Sequence, residues 1–152
     1  MASSPRSAQP GAKPILVPVD GSDSALRAVA HAAANAALTG GMVHLVHVQP
    51  VVDEYGTVPA YLGRDKLREL ARERAQAALA PAAARLKRAG VAYAEHDVAG
   101  EVAGAIVRTA GRLGCGAIVM GTRGMGAVGS LLIGSVAQRV IHLAKVPVTL
   151  LK

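Results

Sequence analysis

The sequence predicts an α/β fold, an open, doubly wound, five-stranded parallel sheet in the order 3-2-1-4-5 with helices on both faces. Five short runs rich in apolar and β-branched residues alternate along the chain with four stretches of helical periodicity. The fourth run, Gly116 to Met120 (GAIVM), is apolar throughout, as a strand covered on both faces requires. With 152 residues, the chain has the length of one domain.

The first half of the chain predicts two strands around one helix. Pro14 to Asp20 (PILVPVD) forms the first strand, and Ser22 caps the helix that follows. That helix has apolar residues at helical spacing and ends at a pair of glycines. Met42 to Val48 forms the second strand. Its two histidines, His44 and His47, fall on opposite faces and are interpreted as packed or edge side chains.

The second half predicts three further strands and three helices. A surface loop at Val51 to Pro59 precedes a long helix, and Pro81 is expected to kink or divide that helix. The remaining elements are, in order, a strand at Val91 to Val98, a helix at Glu101 to Leu113, the strand at Gly116 to Met120, a helix from Ile133 to Ala144 and a strand at Val146 to Leu151.

Composition excludes several classes of protein. The single cysteine, Cys115, rules out an intrachain disulfide and is interpreted as a small core residue. No stretch approaches the ~20 consecutive apolar residues of a membrane span. Residues 1–12 are rich in Ser, Pro and Ala and lack the apolar segment of a signal peptide. We therefore expect a disordered tail, a single domain at 13–152 and a cytoplasmic location.

The net charge of +7 raises the question of an anionic partner. The chain has no Phe or Trp and three Tyr, which argues against stacking on nucleic-acid bases. Basic residues between Arg64 and Arg88 are interleaved with acidic ones, as on a solvated helix face. After Glu101 no acidic residue follows, so the last third of the chain favours an anion.

The predicted ligand site lies at the strand ends. In a doubly wound sheet, ligands bind beyond the carboxyl ends of the strands where the winding reverses, here between the first and fourth strands. Pro18 stands at the end of the first strand, where it cannot donate to a neighbour. Asp20 is a carboxylate at this crevice, placed to accept a hydroxyl, to hold a magnesium-bound water, or to cap the first helix.

A glycine-rich stretch follows the fourth strand. Five glycines fall between Gly121 and Gly134, where backbone N–H groups can approach an anion closely. The Walker A pattern fails because no lysine stands between Gly134 and Ser135. Gly124-x-Gly126-x-x-Gly129 matches the dinucleotide pattern, but it follows the wrong strand and no acidic residue comes after it. The pattern Gly121-x2-Gly124-x9-Gly134-Ser135 is complete.

That spacing, together with PVDGS after the first strand and HV at the end of the second, closely resembles the ATP-binding branch of the universal stress protein family. The resemblance covers about Lys13 to Lys152. It implies a homodimer with ATP or AMP in the crevice between the first and fourth strands, and magnesium is a possible companion.

The resemblance also implies roles for individual residues, of which Ser135 has the alternative of merely capping the last helix. Arg123 is expected either to neutralise phosphate or to be solvated. The remaining residues divide into three groups: Pro18, Val19, Asp20 and the backbone of Val48 around adenosine; Gly121 and Gly124 at ribose and phosphate; and Gly134, Ser135 and Val136 at the terminal phosphates.

The expected function is a regulatory, nucleotide-sensing dimer in the stress response, with at most slow ATP hydrolysis. Nucleotide would act by ordering the segment from Gly121 to Ile133. The dimer would form through the apolar final strand at the sheet edge. Two alternatives remain open: a nucleotide α-hydrolase or adenylate-forming enzyme of related architecture, suggested faintly by Asp20 to Ser24, and a basic nucleic-acid-binding module.

Overall fold

Strands and helices alternate along residues 11–51, 63–123 and 133–152, the parts of the chain that the computed structural model describes. The elements in chain order are β1 (Ile15–Pro18), α1 (Asp23–Thr39), β2 (Val43–Gln49), α2 (Arg64–Arg88), β3 (Tyr93–Ala99), α3 (Val102–Arg112), β4 (Ala117–Gly121), α4 (Ser135–Leu143) and β5 (Val148–Leu151).

The five strands form one parallel sheet in the order β3-β2-β1-β4-β5. This confirms the predicted fold class. Side chains on alternate positions of each strand enter two separate cores. Val17 and Leu45 pack under α1 and α2, whereas Leu16, Val46 and Ile118 pack under α3 and α4.

Local signals fix the helix ends. The Ser22 side chain accepts the N–H of Ala25 and caps α1, as predicted, and α1 ends at Gly40 with a positive φ of 69°. Glu101 stands at the cap of α3, where its carboxylate accepts the N–H groups of Ala103 and Gly104. The helix therefore begins one residue later than the sequence predicts.

Helix α2 corrects one prediction. It runs without interruption from Arg64 to Arg88, so the expectation that Pro81 divides it is wrong. Pro81 is exposed, and the buried Ala78 and Ala82 on either side of it hold both halves of the helix against the core. The predicted loop at Val51 to Pro59 lies outside the described residues, apart from an exposed Val51.

No helix in the described ranges combines the length and the apolar character needed to traverse a lipid bilayer.

Candidate functional site

The sheet splits between β1 and β4. β1 pairs with β2 at every position from Ile15 to Pro18, but it pairs with β4 at Ile15 and Leu16 alone. Beyond that point β4 continues beside β5, with Met120 and Gly121 in register with the last strand. A cleft therefore opens at the carboxyl end of β1, where the winding direction reverses.

Pro18 suits this split. The N–H groups of Ile15 and Val19 donate to the carbonyl oxygens of Met42 and Val46, at 3.0 and 2.9 Å. Because alternate N–H groups of a strand point to opposite neighbours, position 18 faces β4. Proline has no N–H there, so the diverging strands leave no unpaired donor at that position.

The cleft contains a cavity of about 350 Å³. This volume lies within the range of small-molecule sites, which is about 300–1,000 Å³. Nine of the ten predicted site residues line the cavity, and the tenth, Gly124, lies outside the described residues. The nine are Pro18, Val19, Asp20, Val48, Gly121, Arg123, Gly134, Ser135 and Val136.

Part of the cavity lining, called the apolar wall below, was missed by sequence reasoning. Its lining side chains come from β2, β4 and the amphipathic faces of α3 and α4: Val46, Val102, Ile106, Met120 and Ala137, next to the predicted Val48. Val102 and Ile106 form an apolar stripe on α3, one helical turn apart, and belong to the core on this side of the sheet. A stripe of this kind faces inward, but its spacing does not reveal whether a cavity lies in front of it.

Asp20 lies in the turn between β1 and α1. Its Oδ1 accepts the N–H of Ser22 at 3.0 Å, and the residue is exposed at the cavity. The helix cap is the next hydroxyl residue, Ser22, so the alternative role of Asp20 as the α1 cap is wrong. The carboxylate shapes the turn and faces the cavity at the same time.

Gly121 is a glycine for a reason that the sequence does not show. A Cβ placed on it would lie 2.8 Å from the Cβ and 2.9 Å from the carbonyl carbon of Ser24. Real side chains do not tolerate such distances from backbone atoms. The first turn of α1 therefore packs directly onto the end of β4, which accounts for this glycine without any ligand.

The start of helix α4 also lines the cavity. Gly134 occupies its cap position without any side-chain cap hydrogen bond, and Ser135 is the first helical residue, so the alternative of Ser135 as the cap is wrong. The N–H of Gly134 donates to the carbonyl oxygen of Thr122 at 2.7 Å. This amide is therefore engaged by the protein itself. Within the described residues, the N–H groups of Ser135 and Val136 have no protein acceptor.

The sequence model of the universal stress protein family matches residues 11–152. The chain belongs to this family. A universal stress protein of Thermus aquaticus is 39% identical over 141 residues, which cover 92% of this chain and 98% of that protein. A universal stress protein of Methanocaldococcus jannaschii is 35% identical over 140 residues, covering 92% and 82% of the two chains.

Solved structures of other universal stress proteins share the fold, and the two described next are complexes with nucleotides. The Archaeoglobus fulgidus protein in complex with dAMP is 31% identical, with a TM-score of 0.68 and coverage of 93% of this chain and 98% of that one. A universal stress protein in complex with cAMP is 26% identical, with a TM-score of 0.62 and coverage of 91% and 95%.

In this member of the universal stress protein family, the described cavity lining carries one carboxylate, Asp20, and one guanidinium, Arg123. A second charged pair lies next to the lining residue Val102. There Arg139 Nε of α4 lies 3.6 Å from Glu101 Oε1 at the start of α3. The N–H of Gly104 is the main reason that the pKa of Glu101 is lowered. Glu101 is therefore ionised at neutral pH.

Proposed function

We propose that the crevice binds an adenine nucleotide, ATP or its shorter forms AMP and ADP, and that the protein acts as a regulatory nucleotide sensor in the stress response. The observation that carries the proposal is a cavity lining that combines apolar side chains with groups suited to phosphate. The apolar wall, which includes Val46 and Ile106, offers a surface for a purine ring. The same lining contains the start of α4 and Arg123, which suit phosphate.

The energetics are sufficient for useful affinity. Two to three charge-assisted hydrogen bonds, at roughly 1.5–3 kcal/mol each, contribute about 3–9 kcal/mol before the cost of association. Burial of a purine on the apolar wall adds to this. Micromolar affinity corresponds to about −8 kcal/mol, which this combination can reach. The dAMP and cAMP complexes of related proteins support an adenine ligand of this size.

Calorimetric titration of the full chain with ATP, AMP and GTP tests the proposal. We expect saturable binding of ATP below about millimolar concentration and weaker binding of GTP, since the apolar wall offers no partner for extra polar atoms on guanine. If neither ATP nor AMP shows saturable binding, the proposal is wrong. Phosphate release should be no faster than a slow background, because Asp20 is the one carboxylate in the described lining that could position water.

The homodimer is proposed through β5. This strand forms one edge of the sheet, and its four residues, Val148–Leu151, are each half-buried within the single chain. An edge of this kind can pair with its own copy around a two-fold axis. Sedimentation velocity over a hundredfold concentration range tests this part. A monomer mass at every concentration would contradict the dimer and leave the nucleotide site unaffected.

A further inference from the structure

The Ser24 hydroxyl connects the two chain segments that form the crevice. Ser24 lies in the first turn of α1 and is 8% exposed. Its Oγ donates a hydrogen bond to the carbonyl oxygen of Arg123, a residue 99 positions further along the chain. Arg123 lines the cavity directly after β4. A buried hydroxyl on one side of the crevice thus holds the backbone on the other side.

This contact belongs to a short chain of hydrogen bonds across the crevice. Asp20 Oδ1 accepts the N–H of Ser22, and Ser22 Oγ lies 3.3 Å from Ser24 Oγ. Ser24 then donates to Arg123. These contacts connect the Asp20 carboxylate to the backbone of Arg123 through the N–H and hydroxyl groups of Ser22 and the hydroxyl group of Ser24. Ser22 also caps α1, whereas Ser24 has no capping hydrogen bond.

The close approach of α1 and β4 makes this hydrogen bond possible. A side chain on Gly121 would collide with the backbone of Ser24, so the glycine admits the first turn of α1. The Ser24 hydroxyl is then buried, and a buried hydroxyl requires a partner. The carbonyl oxygen of Arg123 supplies it.

We propose that Ser24 is a positioning residue for the phosphate end of the bound nucleotide, acting through Arg123. A peptide group is planar, so fixing the carbonyl oxygen of Arg123 fixes the direction in which the chain leaves that residue. The same backbone sets the point from which the Arg123 side chain begins, and so the region of the cavity that its guanidinium can reach. Ser24 itself lies outside the cavity lining, so it has no direct role with the ligand. This inference rests on the proposed nucleotide site.

The test is a double-mutant cycle measured by calorimetry with two ligands, ATP and adenosine. The proteins are the wild type, Ser24→Ala, Arg123→Gln and the double variant. We expect Ser24→Ala to weaken ATP binding on the order of three- to tenfold, the equivalent of one hydrogen bond, and to change adenosine binding less than twofold. In the Arg123→Gln background, the same substitution should have no further effect on ATP, since the residue through which it acts is already altered.

The matched control is Thr39→Ala. This variant removes a hydroxyl that donates to the carbonyl oxygen of Asn35 at the far end of α1 and lies outside the described cavity lining, so the ratio of ATP to adenosine affinity should stay at the wild-type value. Equal losses for ATP and adenosine in Ser24→Ala, or full additivity with Arg123→Gln, would overturn the positioning role. Absence of ATP binding by the wild type would instead remove the proposed function and this inference with it.

Discussion

His44 Nδ1 and His96 Nε2 lie 3.0 Å apart on the side of the sheet that α3 and α4 cover, with ring centroids 5.0 Å apart. Burial lowers the pKa of both imidazoles. The neighbouring His96 lowers that of His44 further, and Arg112 does the same to His96. His96 is also in register with Val46, a residue of the cavity wall.

This pair predicts acid-dependent loss of stability. Both pKa values lie below the ordinary 6.5 in the folded protein, so the unfolded chain binds more protons once the pH falls below about 6.5. The contribution of the neutral histidine pair to the free energy of unfolding is complete above that pH. It declines as the pH falls through the lowered pKa values. Urea unfolding between pH 8 and 5 should show this decline, and His96→Gln should flatten it. The exposed His31→Gln should retain the wild-type slope. Equal slopes for all three proteins would contradict the prediction.

Substitution of Gly121 should be costly. In Gly121→Ala, the new methyl group would lie within 3 Å of the Ser24 backbone, and overpacking of this kind costs about 1–3 kcal/mol of unfolding free energy. Gly111→Ala is the matched control, because nothing lies within 4 Å of its added Cβ and the residue is helical. We expect this control to gain up to about 1 kcal/mol. Similar changes of the unfolding free energy in both variants, measured by urea unfolding, would show that Gly121 and Ser24 are not tightly packed.

The thiol of Cys115 should resist labelling in the native protein. Burial raises its pKa to about 11, so at pH 8 roughly one thiol in a thousand is ionised. The aromatic disulfide reagent DTNB should therefore react slowly in buffer and rapidly in concentrated urea. Fast native labelling would indicate that the segment around Cys115 opens readily.

Asp20→Asn tests the carboxylate at the cavity. If Asp20 accepts a ribose hydroxyl, the variant should bind AMP on the order of three- to tenfold more weakly, with or without magnesium. Asp23→Asn is the control, because Asp23 occupies the first turn of α1 and does not line the described cavity. A loss that occurs only when magnesium is present would contradict the ribose contact and assign the carboxylate to the metal.

The alternation of strands and helices could be predicted because both periodicities are local properties of the chain. Seven residues of hydrophobic pattern suffice to recognise β2, and the order of elements determines a parallel sheet. Element ends were less accurate. The sequence assigns Glu101 to a helix that it caps, and it predicts that Pro81 kinks or divides a helix that the structure shows undivided.

Most residues of the cavity could be predicted because glycine spacing and strand ends are also local. What the sequence could not reveal are the contacts between distant segments. Gly121 packs against Ser24, and the N–H of Gly134 donates to the carbonyl oxygen of Thr122. His44 contacts His96 of another strand. Each of these depends on the folded position of a second residue, which no motif encodes.

Pro18, at the end of β1, lacks the N–H that this position would direct toward β4. The cleft between β1 and β4 is therefore present before any ligand binds. Entry of a small molecule should then leave the strands where they are, at no cost in broken pairing. The nucleotide-sensing role proposed above would then depend on changes in the loops and helix ends, because the strands themselves keep their positions.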